Sequence, residues 1–246
     1  MNVSTSLISK VLGFTASLVI SASAHASMFT FDNTSDTEVK GASAIDFGDF
    51  TVTAGYTWSL NLGNTGTFTT TGTIHDAFVY WDTNPGNGGL GVVSNKNSSD
   101  GLDSNFKGNA RTDEILFFEF ESQTMLNTVW FNGNHRDLVN SDGDGKIYER
   151  SDALFNIYAS NDGVTYTSVF DRARNGHYQQ APTDRDYLST NVSDNYTHYA
   201  VAATGWGSHS SYVEQISYNP ITEPVTLALL GLGVLALGAA RRRSAK

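Results

Sequence analysis

Ile115-Leu116-Phe117-Phe118-Glu119-Phe120-Glu121 lies near the middle of a chain of 246 residues. Phe118 and Phe120 alternate with Glu119 and Glu121. Successive side chains of a strand point to opposite faces, so this spacing predicts a strand with an apolar inner side and a carboxylate-bearing outer side. The same period of two recurs on both sides. It runs through Phe50–Ala54, Thr57–Leu62 and Phe78–Trp81 before this stretch, and through Thr128–Phe131, Leu154–Tyr158, Thr165–Val169, Thr197–Ala203 and Tyr212–Tyr218 after it.

Between these runs stand turn-forming clusters such as Gly86-Asn87-Gly88-Gly89, Asp100-Gly101 and Asn161-Asp162-Gly163. Many short strands separated by such turns predict an all-β fold, a β-sandwich of jelly-roll-like type. The middle has no amphipathic helix long enough for a parallel α/β sheet. The Gly/Asn/Ser-rich stretch from Thr83 to Ser104 is expected to be a long loop. No fixed-period repeat or Pro-rich linker divides residues 27–221, which are read as one domain.

Charge narrows the partners. From Ser27 to Ile221 the chain has 10 basic and 24 acidic residues, a net charge near −14. Nucleic-acid binding needs cations to neutralise phosphates, and this segment has the opposite sign. Acidity suits solubility outside the cell and calcium ligation. The absence of cysteine excludes disulfides, thiolate metal sites and a cysteine nucleophile.

The two ends differ in kind from the middle. Lys10 precedes an apolar run, Val11–Ile20, and small residues follow, ending Ala24-His25-Ala26. That order predicts a signal peptide over residues 1–26, cut after Ala26 in an A-x-A site formed by Ala24 and Ala26. At the other end Val225–Ala240 gives 16 residues without a charge, followed by Arg241-Arg242-Arg243. As a helix this stretch reaches about 24 Å. The hydrocarbon core is about 30 Å thick, a gap that snorkelling arginines and local thinning close. The arginines are expected to stay cytoplasmic, which leaves the middle domain outside.

Glu223-Pro224, the Leu/Gly-rich segment and the Arg cluster, in that order, resemble the PEP-CTERM sorting signal of Gram-negative bacteria, here over residues 222–246. The family's usual first proline is Thr222 in this chain. The resemblance implies recognition and cleavage by a transpeptidase-like exosortase, with Glu223, Pro224, Arg241, Arg242 and Arg243 as the sorting residues. It implies transient anchoring in the inner membrane and delivery to the cell envelope, surface or exterior. The middle also resembles exosortase-dependent surface proteins loosely, through Gly89-Leu90-Gly91-Val92 and Asp113–Phe118. Ala153–Thr167 is similar to a hairpin of discoidin-like and other carbohydrate-binding β-sandwiches, which implies a common fold and a polysaccharide partner. Hairpin physics alone also yields such a segment, since Asn-Asp-Gly supplies the positive φ of a tight turn.

Asn140-Ser141-Asp142-Gly143-Asp144-Gly145-Lys146-Ile147 holds the sharpest metal pattern. Asn140, Asp142 and Asp144 place oxygens at alternate positions, Gly145 permits the bend, and the Lys146 carbonyl is the fourth donor of a calcium loop of EF-hand type. Ser151 stands where a bidentate Glu is usual, and Asp152 follows it. The flanks are strand-like, so the expectation is a calcium loop embedded in a β-protein or, alternatively, a solvated turn. A second acidic group, Asp32, Asp36 and Glu38 with Glu214, needs the first and last strands to lie together.

Signals for catalysis are weak. Glu119 and Glu121 share a strand face, which suits a glycosidase pair or, more simply, a polar exterior. His75, His135, His177, His198 and His209 form no H-E-x-x-H, and there is no G-x-S-x-G. Among the tryptophans, Trp58 and Trp130 fall in alternating runs and are expected in the core, whereas Trp206 in Gly205-Trp206-Gly207 is the expected sugar platform. The sequence therefore points to a non-enzymatic, exosortase-processed surface or biofilm-matrix protein. A carbohydrate-binding module, with or without calcium, is the alternative.

Overall fold

The computed structural model describes residues 26–31, 38–58, 66–83, 88–94, 101–107, 110–132, 154–170, 179–180, 186–189, 194–204 and 209–221. All lie within one compact unit, Ala26–Ile221. The strands are β1 (Ser27–Thr30), β2 (Val39–Ala42), β3 (Ala44–Asp46), β4 (Phe50–Thr57), β5 (Thr67–Thr69), β6 (His75–Asp82), β7 (Gly89–Val93) and β8 (Leu102–Lys107). They continue with β9 (Ala110–Asn132), β10 (Leu154–Ser160), β11 (Thr165–Phe170), β12 (Gln179–Gln180), β13 (Asp186–Ser189), β14 (Tyr196–Thr204) and β15 (His209–Pro220). The described residues contain no helix, so the expected all-β class holds.

Strand β9 joins the whole. The sequence reads it as two strands, Ile115–Glu121 and Thr128–Phe131, but it is continuous over 23 residues. Its first part pairs antiparallel with β4, from Phe50 opposite Phe120 to Thr57 opposite Asp113. On its other side it pairs with β14, where Tyr199 faces Phe118 and Val201 faces Leu116. Its second part pairs with β15 and β13 instead. Because β4 also pairs with β6, β6 with β7 and β7 with β15, the path β4–β6–β7–β15–β9 returns to β4 and closes a small barrel. The ring is narrowest between β7 and β15, which meet at one register pair, Val213 opposite Leu90. From β9 a sheet continues through β14, β10, β11 and β5.

Bulges keep the apolar residues inside along this path. Leu116, Phe118, Phe120 and Leu126 face the main core, and farther along so do Val129 and Phe131. The parity changes at Asn127, because Tyr218 faces Leu126 while the adjacent Ser217 faces Thr128. One extra residue in a strand flips every side chain after it. The opposing shift on β15 lies at Glu214, so that Val213 and Ile216 both point inward. The main core also takes Phe50 and Val52 of β4, Phe155 and Ile157 of β10, and Tyr199 and Val201 of β14. Fully burying a side chain such as Phe118 stabilises the fold by roughly 2–3 kcal/mol.

The adjacency that the second acidic group requires is present, and one expected loop is replaced by strands. The first and last strands do lie side by side, with Ser27 opposite Tyr218 and Thr30 opposite Gln215. The Phe31 amide then donates to the carbonyl of the bulge residue Glu214 at 2.7 Å. The stretch expected to be a long loop, Thr83–Ser104, contains β7 and the start of β8 instead. Leu90, Val92 and Leu102 are completely buried there, so the apolar residues between the glycines outweigh the turn-like composition.

The junction of the two parts of β9 is held by one hydroxyl. Tyr199 Oη donates to the Thr124 carbonyl at 2.8 Å and accepts from the Leu126 amide at 3.2 Å. Burial pushes this phenol up to about 12, so it keeps its proton across the physiological range. Tyr199→Phe would remove both of these hydrogen bonds from the core. We expect a loss of about 1–3 kcal/mol in denaturant unfolding, with unchanged far-ultraviolet circular dichroism.

Candidate functional site

The sheet face turned away from the main core carries a second, smaller apolar cluster. Ile115 of β9, Tyr158 of β10, Tyr166 of β11 and Ala200 and Ala202 of β14 form it, with Phe68 from β5. Ile74 and Phe117 pack at its border. The chain before β6 crosses this face very closely. A Cβ on Gly55 would lie 2.6 Å from Ile74 Cγ2 and 3.2 Å from the Phe117 ring, so only glycine admits the crossing.

Beside this cluster opens a groove of about 730 Å³. Cross-strand register builds its floor. Thr53 of β4 faces Phe117, and His198 of β14 faces Glu119. One wall is His75 to Phe78 on β6, and the other is Asp162 and Gly163 in the turn between β10 and β11, with Tyr166 beside them. Phe78 is 46% exposed although Ala77 and Val79 beside it are buried.

The turn wall is rigid for identifiable reasons. The Val164 and Thr165 amides both donate to Asp162 Oδ1 at 2.8 Å, and the Ser160 hydroxyl donates to it at 2.7 Å. These bonds, that from Thr165 foremost, hold the Asp162 carboxyl down at about 2. Gly163 has φ +67°, and a Cβ there would sit 2.9 Å from His198 Nε2. The imidazole therefore lies against the turn. Its Nδ1 is 2.8 Å from Thr197 Oγ1, and its Nε2 is 3.7 Å from Glu119 Oε1. Glu119 is largely exposed, so this pair adds little stability, at most about 1 kcal/mol. Burial, then the nearby Glu119 and Asp162 charges, raises the Tyr166 phenol well above its usual range and keeps it protonated.

Most expected site residues lie outside the described residues. These are Asn140, Asp142, Asp144, Lys146 and Asp152 of the calcium loop, Trp206, Ala24, and Glu223, Pro224, Arg241, Arg242 and Arg243. Ala26 is described and exposed, immediately before β1. Of the second acidic group, Asp32 and Asp36 are likewise outside. Glu38 accepts a short hydrogen bond from the Tyr80 hydroxyl and pairs with Lys40 at 3.1 Å. Glu214 is buried at its bulge. Among the described residues no three His, Cys, Asp or Glu side chains gather as a metal site. Glu119 and Glu121 are both exposed opposite buried Phe118 and Phe120, and Glu119 alone of the two lines the groove. Trp58 is half-buried against the main core.

Sequence reading missed the groove as a unit. Its walls come from β6 and from a hairpin more than eighty residues later, and nothing in the sequence announces that these meet. The one available signal was Phe78, an aromatic out of step with the inward positions of its strand.

Asp162 titrates below its ordinary value of 3.8, so its contribution to the hairpin is complete at higher pH and is lost as pH falls through about 2. The protection of the Val164 and Thr165 amides, taken relative to the intrinsic exchange rate at each pH, should hold from pH 7 to about 4 and fall between there and about 2. In Asp162→Ala the protection of the same two amides should be low at every pH. Comparison of the chain with models of known protein families, with curated proteins and with solved structures gave no match in any of the three.

Proposed function

We propose that this chain is an exported, exosortase-processed protein of the cell surface, extracellular matrix or biofilm, whose β-domain works without catalysis. The jelly-roll-like sandwich belongs to this reading as the form of that domain. Support for it comes from both ends of the sequence and from the way the domain is bounded. The expected cleavage after Ala26 falls immediately before β1, which begins at Ser27, and the sorting motif starts just beyond the end of β15 at Pro220. Ser27 and Tyr218 are cross-strand partners, so both boundaries open from one end of the sheet. Removing the appended segments cuts no strand pairing among the described residues.

The observation that carries the reading is this bracketing of a complete β-domain by an apolar leader and by the Glu223-Pro224, apolar and Arg series. A second reading, a carbohydrate-binding module, is favoured by the groove on the outer sheet face, where an exposed aromatic ring stands in a rim that carries three carboxylates.

Intact-mass measurement on protein recovered from its native cells tests the first reading. The expected mass begins at Ser27, ends near Glu223-Pro224 and includes any group transferred to the new C-terminus. Recovery of the unprocessed chain, Met1 to Lys246, would refute it.

A further inference from the structure

The geometry points to the groove beside Phe78 and Glu119 as the binding site for a non-acidic polysaccharide, one whose sugars are neutral or amine-bearing. This inference rests on the carbohydrate-binding reading and gives it a site other than Trp206.

Three observations carry it. Phe78 is the one exposed Phe, Tyr or Trp among the residues whose exposure is described. An exposed ring on a sheet face, with Phe117 also lining the cavity, offers an apolar platform to the C–H face of a sugar ring. The polar rim is built mainly of acceptors, the carboxylates of Asp76, Glu119 and Asp162, with His198 between the last two. Acceptors of this kind select a partner rich in hydroxyl or amine donors and repel carboxylates, as does the net charge near −14 of residues 27–221. Finally, a cavity of about 730 Å³ lies within the range of small-ligand sites, about 300–1,000 Å³.

A lysine-rich peptide is the other donor-rich partner. The sugar is favoured because the Phe78 ring stands beside the acceptors, and a sugar ring uses both its C–H face and its hydroxyls there. Asp162 Oδ1 accepts from two amides and the Ser160 hydroxyl, and Glu119 faces His198. The Asp162 acceptor is thereby fixed before binding, which lowers the ordering cost that a weak sugar contact must overcome.

Calorimetric titration of the full-length chain with soluble hexasaccharides of glucose, glucosamine and glucuronic acid tests the site, alongside a glycan array. A neutral or amine-bearing sugar should bind and the glucuronic acid hexamer should not. Phe78→Ala and Glu119→Gln should each weaken binding about tenfold or more. Both side chains are exposed, so the melting temperature should hold, and Glu121→Gln, outside the groove, should leave binding unchanged. Sugar binding that survives both groove variants and is lost in Trp206→Ala would overturn the groove while sustaining the carbohydrate reading. Equal binding of the acidic hexamer, or binding of a lysine-rich peptide and no sugar, would overturn the groove's assignment. Absence of binding across the whole array would remove the site and the carbohydrate reading together, leaving the export reading to the mass measurement.

Discussion

Strand β9 belongs to two pairing neighbourhoods, and the molecule depends on its passing between them without a break. Before Thr124 it is flanked by β8, β4 and β14, and after it by β15 and β13. A chain that changes neighbours must leave some backbone groups between partners, and buried ones are costly unless bonded. Here the Tyr199 hydroxyl reaches across from β14 to the Thr124 carbonyl and the Leu126 amide, and the bulge at Asn127 returns the apolar side chains to the interior. The barrel, the sheet beyond it and the juxtaposed ends of the domain all follow from that transition.

The groove is a consequence of the same strand. Its inward residues, Leu116, Phe118 and Phe120, fix the opposite face by alternation, so Phe117 and Glu119 must point away from the main core. Neighbouring strands then set His198 beside Glu119 and Thr53 beside Phe117. Two walls are added from distant segments, each through a position where glycine allows close approach: Gly55 under the chain leading into β6, and Gly163, at positive φ, against the His198 ring. Preorganised walls around an exposed ring are the physical basis for reading this surface as a place where a sugar chain rests.

Alternation made much of the fold legible. Phe50–Ala54, Phe78–Trp81, Leu154–Tyr158, Thr165–Val169, Thr197–Ala203 and Tyr212–Tyr218 all fall within observed strands. The unity of β9 was not legible, because Glu121-Ser122-Gln123 is an exposed polar stretch that reads as a break. Nor were β7 and β8, whose short apolar runs sit among glycines and asparagines. The short strands β2, β3 and β5 carry too few residues for any period to emerge. The Asn161-Asp162-Gly163 turn was legible in full, since its chemistry is local, and Gly163 takes the positive φ expected of it. The groove was not, because it is assembled by register between strands far apart in sequence.

Native-state hydrogen exchange along β9 tests the central claim most directly. If the strand is one continuous element shared by both neighbourhoods, the amides around Leu116 and Phe118 and those around Val129 and Phe131 should exchange only through global unfolding, with the same free energy and the same dependence on denaturant. If one half exchanges through a separate opening of lower free energy while the other stays protected, the barrel and the sheet are independent units. The account of β9 as their common strand would then be wrong.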